Sequence, residues 1–197
     1  SKNLQYFINT YSSSEVPPIY SLYTAEGEML QIIKDNATLK ADLSGYNMSE
    51  KEFSTIAING NSLNMWMVKP TDFDANKKYP VVVYLYNGPH LQLVTNKWQG
   101  GANLWYQYMA QKGYVVFSID GRGSADRGFE FESTIHRNCG EKEMEDQLTG
   151  VAWLKKQKWV DADRLGIHGW SYGGFMTTSM MSRNPGVFKV GVAGGPV

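Results

Sequence analysis

Gly169-Trp170-Ser171-Tyr172-Gly173-Gly174 is the stretch on which the reading of this chain turns. Residues 164–169, before and into it, alternate as a short buried strand, and residues 172–182 carry Met176 and Met180 at helical spacing. A Gly-x-Ser-x-Gly corner between a strand and a helix is the context of a nucleophile elbow. The glycines are required sterically. A Cβ at 169 or 173 is expected to collide with the neighbouring strand and helix, and the tight corner pins Ser171 in a strained backbone conformation. Trp170 and Gly174 complete the corner. The amino end of the following helix aims its free N–H groups at any negative charge that develops beside the serine. As a bare pattern these residues also serve as a plain small-residue corner; the strand before and the helix after separate the two readings.

Outward from this corner, strand and helix alternate. Residues 79–86 form a near-continuous apolar run closed by Asn87-Gly88-Pro89, as expected of a strand covered on both faces. Residues 104–111 fit a helix ended by Gly113, 114–119 a second buried strand, 141–156 a helix with Met144, Leu148, Val151 and Ala152 inward, and 188–193 a fourth buried strand. Residues 51–58 and 62–69 read as a hairpin around Asn59-Gly60-Asn61. This alternation predicts an α/β domain with a mostly parallel sheet and crossover helices. Residues 1–36 differ. Three short strand-like runs, at 4–8, 19–24 and 29–33, are broken by Ser12-Ser13-Ser14, Pro17-Pro18 and Glu26-Gly27. Three strands bury little alone, so this segment reads as a β remnant of a larger all-β unit, and residues 37–197 as an incomplete α/β domain.

Composition removes whole classes of function. The 197 residues hold 19 basic and 19 acidic side chains, which leaves no electrostatic footprint for nucleic acid or an anionic membrane. A single cysteine, Cys139, excludes an internal disulfide framework and a cysteine-based zinc site. The apolar runs fall far short of the roughly 18 residues of a membrane span, and no signal-like segment opens the chain. With eight Phe, six Trp and twelve Tyr, a packed core is expected. Both ends read as cut, so the chain is expected to be a fragment.

A serine nucleophile needs oxyanion donors and a base. The N–H of Tyr172, directly after the nucleophile, is one expected donor. The loop Tyr86-Asn87-Gly88-Pro89 is placed to supply a second, through the Tyr86 hydroxyl, although an aromatic at a strand end is more often core or rim. The base is missing. His90, His136 and His168 all precede Ser171, and the expected order is serine, carboxylate, histidine. His168 reads as a satisfied core histidine; His90, in the expected oxyanion loop, is the better candidate for substrate contact. Arg122 is expected to tie loops together through Glu145 or Asp146, Asp120 to cap backbone N–H groups, and Met176, Met180 and Met181 to pack in the core.

Tyr79-Pro80, Tyr86-Asn87-Gly88-Pro89, Asp120-Gly121-Arg122-Gly123-Ser124, Glu145-Asp146-Gln147 and Gly169-Trp170-Ser171-Tyr172-Gly173-Gly174-Phe175 occur together in one order and spacing. In these segments residues 3–197 resemble the dipeptidyl peptidase IV branch of the prolyl oligopeptidase family. Within that branch, Gly88-Pro89-His90-x-Gln92-Leu93-Val94, Met109-Ala110-Gln111-Lys112-Gly113-Tyr114 and Trp159-Val160-Asp161-Ala162-Asp163-Arg164 look most like bacterial prolyl tripeptidyl peptidases.

The resemblance implies an α/β-hydrolase fold preceded by the end of a β-propeller. It also implies a serine exopeptidase that releases X-Pro dipeptides or X-X-Pro tripeptides through an acyl-enzyme on Ser171. It makes Tyr86 the oxyanion tyrosine, sets Tyr172 at the border of the proline pocket, and aligns Val197 with a residue lining that pocket. No metal or organic cofactor is implied. Asn87 stands where relatives often have a small residue, a departure expected to be harmless. Further implications are peptide substrates with proline near the amino terminus, a homodimeric parent and a periplasmic or envelope location. The triad Asp and His are absent, so the 197-residue chain itself is expected to be inactive, and its unpaired sheet edge to favour association. Two alternatives stand beside this reading: an esterase-type hydrolase, and a non-catalytic binding module built on a degenerate hydrolase domain.

Overall fold

A computed structural model describes residues 4–98 and 104–197. Residues 1–3, where the predicted 1–36 unit begins, and residues 99–103 of the 37–197 unit lie outside the described residues. Two sheets emerge. The first is a three-stranded antiparallel meander, β1 (Tyr6–Tyr11), β2 (Ile19–Thr24) and β3 (Met29–Lys34), in the order β1-β2-β3. A short helix, α1 (Ala37–Leu43), leads out of it.

The second sheet has six strands. β4 (Lys51–Ile58) and β5 (Asn61–Val68) form a hairpin whose turn residues Asn59 and Gly60 have φ of 50° and 79°. Two successive positive φ values match the twist of the flanking strands, which is why an Asn-Gly pair sits there. β6 (Tyr79–Tyr84), β7 (Val115–Ile119), β8 (Val160–Trp170) and β9 (Val190–Gly194) follow, in the spatial order β4-β5-β7-β6-β8-β9. β4, β5 and β7 pair antiparallel, and β7, β6, β8 and β9 pair parallel. The predicted strand at 79–86 ends at Tyr84, and β8 begins at Val160, before the predicted 164.

Helices cover both faces. α2 (Trp105–Gln111) lies over one face, where Trp66, Val68, Tyr106, Ala110 and Val116 are buried together. Gly113, φ 83°, closes α2 as its composition predicts. α4 (Lys142–Lys155) and α5 (Tyr172–Arg183) lie on the other face. There Met144, Leu154, Met176 and Met180 pack on Val81, Val83, Phe117 and Ile167. Every residue of β7 is buried, as expected of a strand sandwiched between layers, and all but Ser118 are apolar.

Three local expectations are corrected. Residues 129–135, not read as helix, form α3 (Phe129–Glu132) and a 3-10 turn (Ser133–Ile135). Ala152 is exposed; the inward face of α4 instead carries Glu143, Met144, Asp146, Gln147, Gly150, Val151 and Leu154. β9 reads as buried, yet Val190 and Val192 are each 58% exposed, because β9 is the outermost strand and pairs with β8 alone.

Candidate active site

The parallel pairing decides what meets at the site. β6 and β8 are neighbours in register, Val83 opposite Ile167 and Tyr84 opposite His168. Their carboxyl ends therefore finish side by side, and the residues just beyond them, Tyr86 and Ser171, belong to one surface. The chain leaves β6 toward β7 on one side and returns to β8 on the other. Open α/β sheets hold their ligands at such a reversal of strand order.

Ser171 has φ 56° and ψ −120° and directly precedes α5. A non-glycine residue there is strained by about 1–3 kcal/mol and persists only where its surroundings hold it. Ser171 N–H donates to the Gly194 carbonyl at 2.8 Å, and its own carbonyl accepts from Phe175 N–H at 3.0 Å. Packing around the corner is tight. A Cβ on Gly169 would lie 2.3 Å from the Gly173 carbonyl oxygen and 2.7 Å from that of Leu85. One on Gly173 would lie 2.3 Å from the Leu85 oxygen and 3.2 Å from the Tyr86 Cα. One on Gly174 would meet the Gly194 oxygen at 2.5 Å. The two sets of contacts, to the helix and to the neighbouring strand, are those expected of the elbow. Ser171 is half-buried, neither interred nor fully exposed. Trp170 contributes its backbone to the corner, while its indole is 66% exposed and lies over Gly194 and Gly195.

Tyr172 is the first residue of α5, so its N–H has no acceptor within the helix. Its side chain turns inward. The hydroxyl donates to Glu143 Oε1 at 2.5 Å, and burial, together with that bond, raises the phenol pKa above the ordinary tyrosine value. The Tyr86 and Tyr172 rings lie 6.0 Å apart. Gly88 fits between them: a Cβ there would be 2.5 Å from Tyr86 Cε1 and 2.9 Å from Tyr172 Cγ. Ser171, Tyr172 and Tyr86 are thus brought together. Val197 is 79% exposed, three residues past β9, while the adjoining Pro196 backbone runs beside Gly174.

A buried polar frame holds the loop that carries Tyr86. Asn87, φ 58° and 2% exposed, accepts a hydrogen bond on Oδ1 from Gln147 Nε2, and Gln147 also donates to the Ile119 carbonyl at 2.9 Å. The Asn87 departure therefore has a structural use: an asparagine tolerates the left-handed backbone and offers an acceptor to Gln147. Asp146 grips Arg122 at both ends, accepting its backbone N–H at 2.8 Å and its Nη2 at 2.6 Å; Glu145 stands 3.3 Å from the same guanidinium. Arg122 meets the carboxylates expected of it, but these lie on α4, so it ties its loop to that helix. Asp120 accepts the N–H groups of Leu93 at 3.0 Å and Val94 at 2.8 Å, which pins the far end of the loop. Sequence reasoning overlooked Glu143. Its signal was a polar stripe at 143, 146 and 147, one face of a helix, where an apolar stripe was sought.

Burial lifts the Asp120 carboxyl from 3.8 to about 6, against the opposing effect of its Val94 and Leu93 hydrogen bonds. The native chain then binds this proton more tightly than the unfolded chain. Asp120 contributes most to stability below about pH 4, and that contribution is lost as pH rises through about 6. The full change corresponds to about 3 kcal/mol. Asp120→Asn is therefore expected to gain stability relative to the unsubstituted chain between about pH 4 and pH 7, read from paired thermal unfolding midpoints. A stability difference that does not vary with pH would contradict this.

None of the histidines is placed as a base for Ser171. His168, half-buried between the Tyr84 and Trp105 rings, donates from Nδ1 to the Val192 carbonyl at 3.0 Å. His90, φ 62°, has a side chain 89% exposed and stands 3.7 Å from Glu132. His136 is exposed beyond the 3-10 turn. His90 and His136 line an open cavity of about 630 Å³ with Phe129, Glu132 and Cys139; a second, of about 480 Å³, is bordered by Tyr86, Leu91, Trp98 and Trp170.

The family model described as the prolyl oligopeptidase family matches residues 102–197. Dipeptidyl peptidase 8 of Mus musculus is 36% identical over 205 residues, covering all of this chain and 23% of its own. The solved structure of a putative dipeptidyl aminopeptidase IV from Bacteroides ovatus is 44% identical with a TM-score of 0.88, over 98% of this chain and 27% of that one. That of Porphyromonas gingivalis dipeptidyl peptidase 4 is 40% identical with a TM-score of 0.93, over 100% of this chain and 28% of that one. This chain belongs to the prolyl oligopeptidase family.

Within the family it falls in the dipeptidyl peptidase IV branch. It spans about a quarter of the length of these relatives. The α/β-hydrolase fold of the six-stranded sheet follows from the family and from the observed topology. The prolyl oligopeptidase family match begins at residue 102 and so takes in β7, α4, the elbow and β9, while β6 and its Tyr86 loop lie before it.

Proposed function

We propose that the protein carrying this chain is a serine exopeptidase that removes X-Pro dipeptides from peptide amino termini. The observation that carries the reading is Ser171 at φ 56°, wedged between Gly169 and Gly173 at the head of α5 and beside Tyr86. In this reading Ser171 Oγ attacks the carbonyl carbon that follows proline while a general base takes its proton. The negative oxygen that forms is held by the Tyr172 N–H and the Tyr86 hydroxyl. The amine leaves with the proton, and water then cleaves the ester by the same route in reverse. We place the base, with its carboxylate partner, in the part of the protein outside these 197 residues; the chain alone is then inactive. The Tyr172 ring and Val197 would border the pocket for the proline ring. Dipeptide rather than tripeptide release is favoured by the relatives, which are named as dipeptidyl peptidases and a dipeptidyl aminopeptidase.

The first sheet supports a propeller origin for residues 1–36. Phe7, Ile8, Ile32 and Ile33 are 46–62% exposed, an apolar load that three strands cannot cover and that further strands would. The open edge at β9 is where additional strands of the catalytic sheet, or a second copy of the chain, would pair.

The test is to treat the full-length protein with a fluorophosphonate and to assay it on Gly-Pro and Ala-Ala-Pro chromogenic substrates. The expected result is phosphonylation of Ser171, mapped by peptide mass spectrometry, and preferential cleavage of the Gly-Pro substrate. Ester turnover without cleavage after proline would favour the esterase alternative. Absence of label at Ser171 would favour a binding module.

A further inference from the structure

Glu143 is fully buried, and among the described residues no lysine or arginine forms an ion pair with it. A carboxylate withdrawn from water without a counter-ion is costly and persists where donors compensate it. The donors here are two. Gly140 N–H lies 3.0 Å from both carboxylate oxygens, and the Tyr172 hydroxyl lies 2.5 Å from Oε1. Gly140 has φ 88°, a left-handed turn just ahead of α4 that brings its N–H onto a side chain of the first turn of that helix. Turn, helix and carboxylate are thus arranged to present one acceptor to one phenol.

Tyr172 sits where that arrangement has a consequence. Its backbone is the first residue after Ser171, its Cβ and Cγ lie against Gly88, and its ring centre is 6.0 Å from that of Tyr86 and 5.2 Å from that of Phe175. Unanchored, a half-buried tyrosine at a cleft edge keeps rotamer freedom that must be given up each time a ligand packs against it. With its hydroxyl held at Glu143, the ring is fixed at its far end by the bond and at its near end by Gly88. It stands as a rigid wall before any ligand arrives.

We infer that Glu143 is a positioning residue for specificity: it holds the Tyr172 ring as a preset wall of the proline pocket. This rests on the function proposed above. Glutamine at 143 has a single, uncharged acceptor oxygen: in the place of Oε1 it keeps both donors through weaker bonds and turns its NH2 group toward Gly140 N–H, and in the place of Oε2 it turns the NH2 toward the Tyr172 hydroxyl, so the hold on the ring loosens either way. Tyr172→Phe breaks the same link from the opposite side and leaves the ring and backbone in place.

The experiment uses the full-length protein with Glu143→Gln, Tyr172→Phe and the double variant. Expected for each is a rise of about tenfold in KM for a Gly-Pro substrate, a smaller change in kcat, and a loss of about tenfold in preference for Gly-Pro over Gly-Ala. The double variant should be no worse than the singles, because both remove one interaction. Fluorophosphonate labelling of Ser171 in Glu143→Gln, which uses the nucleophile and oxyanion donors but no proline pocket, should stay within about threefold of the unsubstituted protein. Independently of activity, a crystal structure of Glu143→Gln should show the Tyr172 ring displaced or in more than one rotamer. Unchanged ring position, KM and Pro/Ala preference, or additive losses in the double variant, overturn the assignment. If Glu143→Gln does not fold, Tyr172→Phe alone carries the kinetic test. If the unsubstituted protein labels at Ser171 but does not cleave after proline, the proposed function fails, and the ring position in Glu143→Gln still decides whether Glu143 holds Tyr172.

Discussion

Ser171→Ala in the full-length protein is expected to lower kcat on a Gly-Pro substrate by about a million-fold, leaving KM and folding close to unchanged. The size of the effect follows from what the hydroxyl does. A residue that forms the covalent intermediate cannot be replaced in part; losing it leaves only the oxyanion donors and substrate binding, and these account for a small residue of the acceleration. The fold should tolerate the change, because the interactions that hold the corner come from the backbone: Ser171 N–H on Gly194 and Ser171 C=O on Phe175. No cap bond from the Ser171 side chain to α5 is lost either. The methyl group retains the β-carbon that already occupies φ 56° and adds no volume against Gly169, Gly173 or Gly174. Steady-state kinetics with active-site titration check the result. Retention of more than about a hundredth of the activity would mean that the hydrolysis does not pass through this oxygen.

The reason Ser171 is legible in the sequence lies in sterics. A strand must turn into a helix within one residue, and only glycine fits at 169 and 173, where the carbonyl of Leu85 and the helix backbone come within 2.3–2.7 Å of any Cβ. A requirement that strict leaves its mark in residue identity. The parallel core is legible for a similar reason: strands covered on both faces, such as β7 with Val115, Val116, Phe117 and Ile119, are apolar at nearly every position. What holds Tyr86 and Tyr172 in place is not legible in the same way. Glu143, Asp146 and Gln147 form the site-facing side of α4 and are fully buried, yet only Asp146 has an expected role, as a partner of Arg122. Periodicity reports where polar residues recur and not whether they are hydrogen-bonded inside. The same blindness explains β9, whose valines read as core while its outer edge lies open, and α3, whose leading Phe129 is 85% exposed and marks no buried stripe. Local pattern reports intrinsic preference; burial at a sheet edge or behind a polar frame is decided by what packs against it.

Tyr86→Phe is expected to lower kcat by about 10²–10³, the range for removing one oxyanion donor, with KM little changed. In the proposed mechanism the hydroxyl acts on charge that appears only as the tetrahedral intermediate forms, so its loss would fall on the transition state and not on the ground-state complex. The substitution isolates that contribution. The phenyl ring keeps its packing over Gly88 and its approach to Tyr172, and the backbone beside Gly173 is untouched. The rest of the loop is held elsewhere, by Gln147 on Asn87 and by Asp120 on Leu93 and Val94. A fall in kcat with an unaltered thermal midpoint would therefore assign the loss to the phenol. Fluorophosphonate labelling should slow in parallel, because its phosphoryl oxygen draws on the same donors. A rise in KM of the same size as the fall in kcat/KM, with kcat preserved, would instead make Tyr86 a pocket wall, and the oxyanion would then rest on the Tyr172 N–H without it.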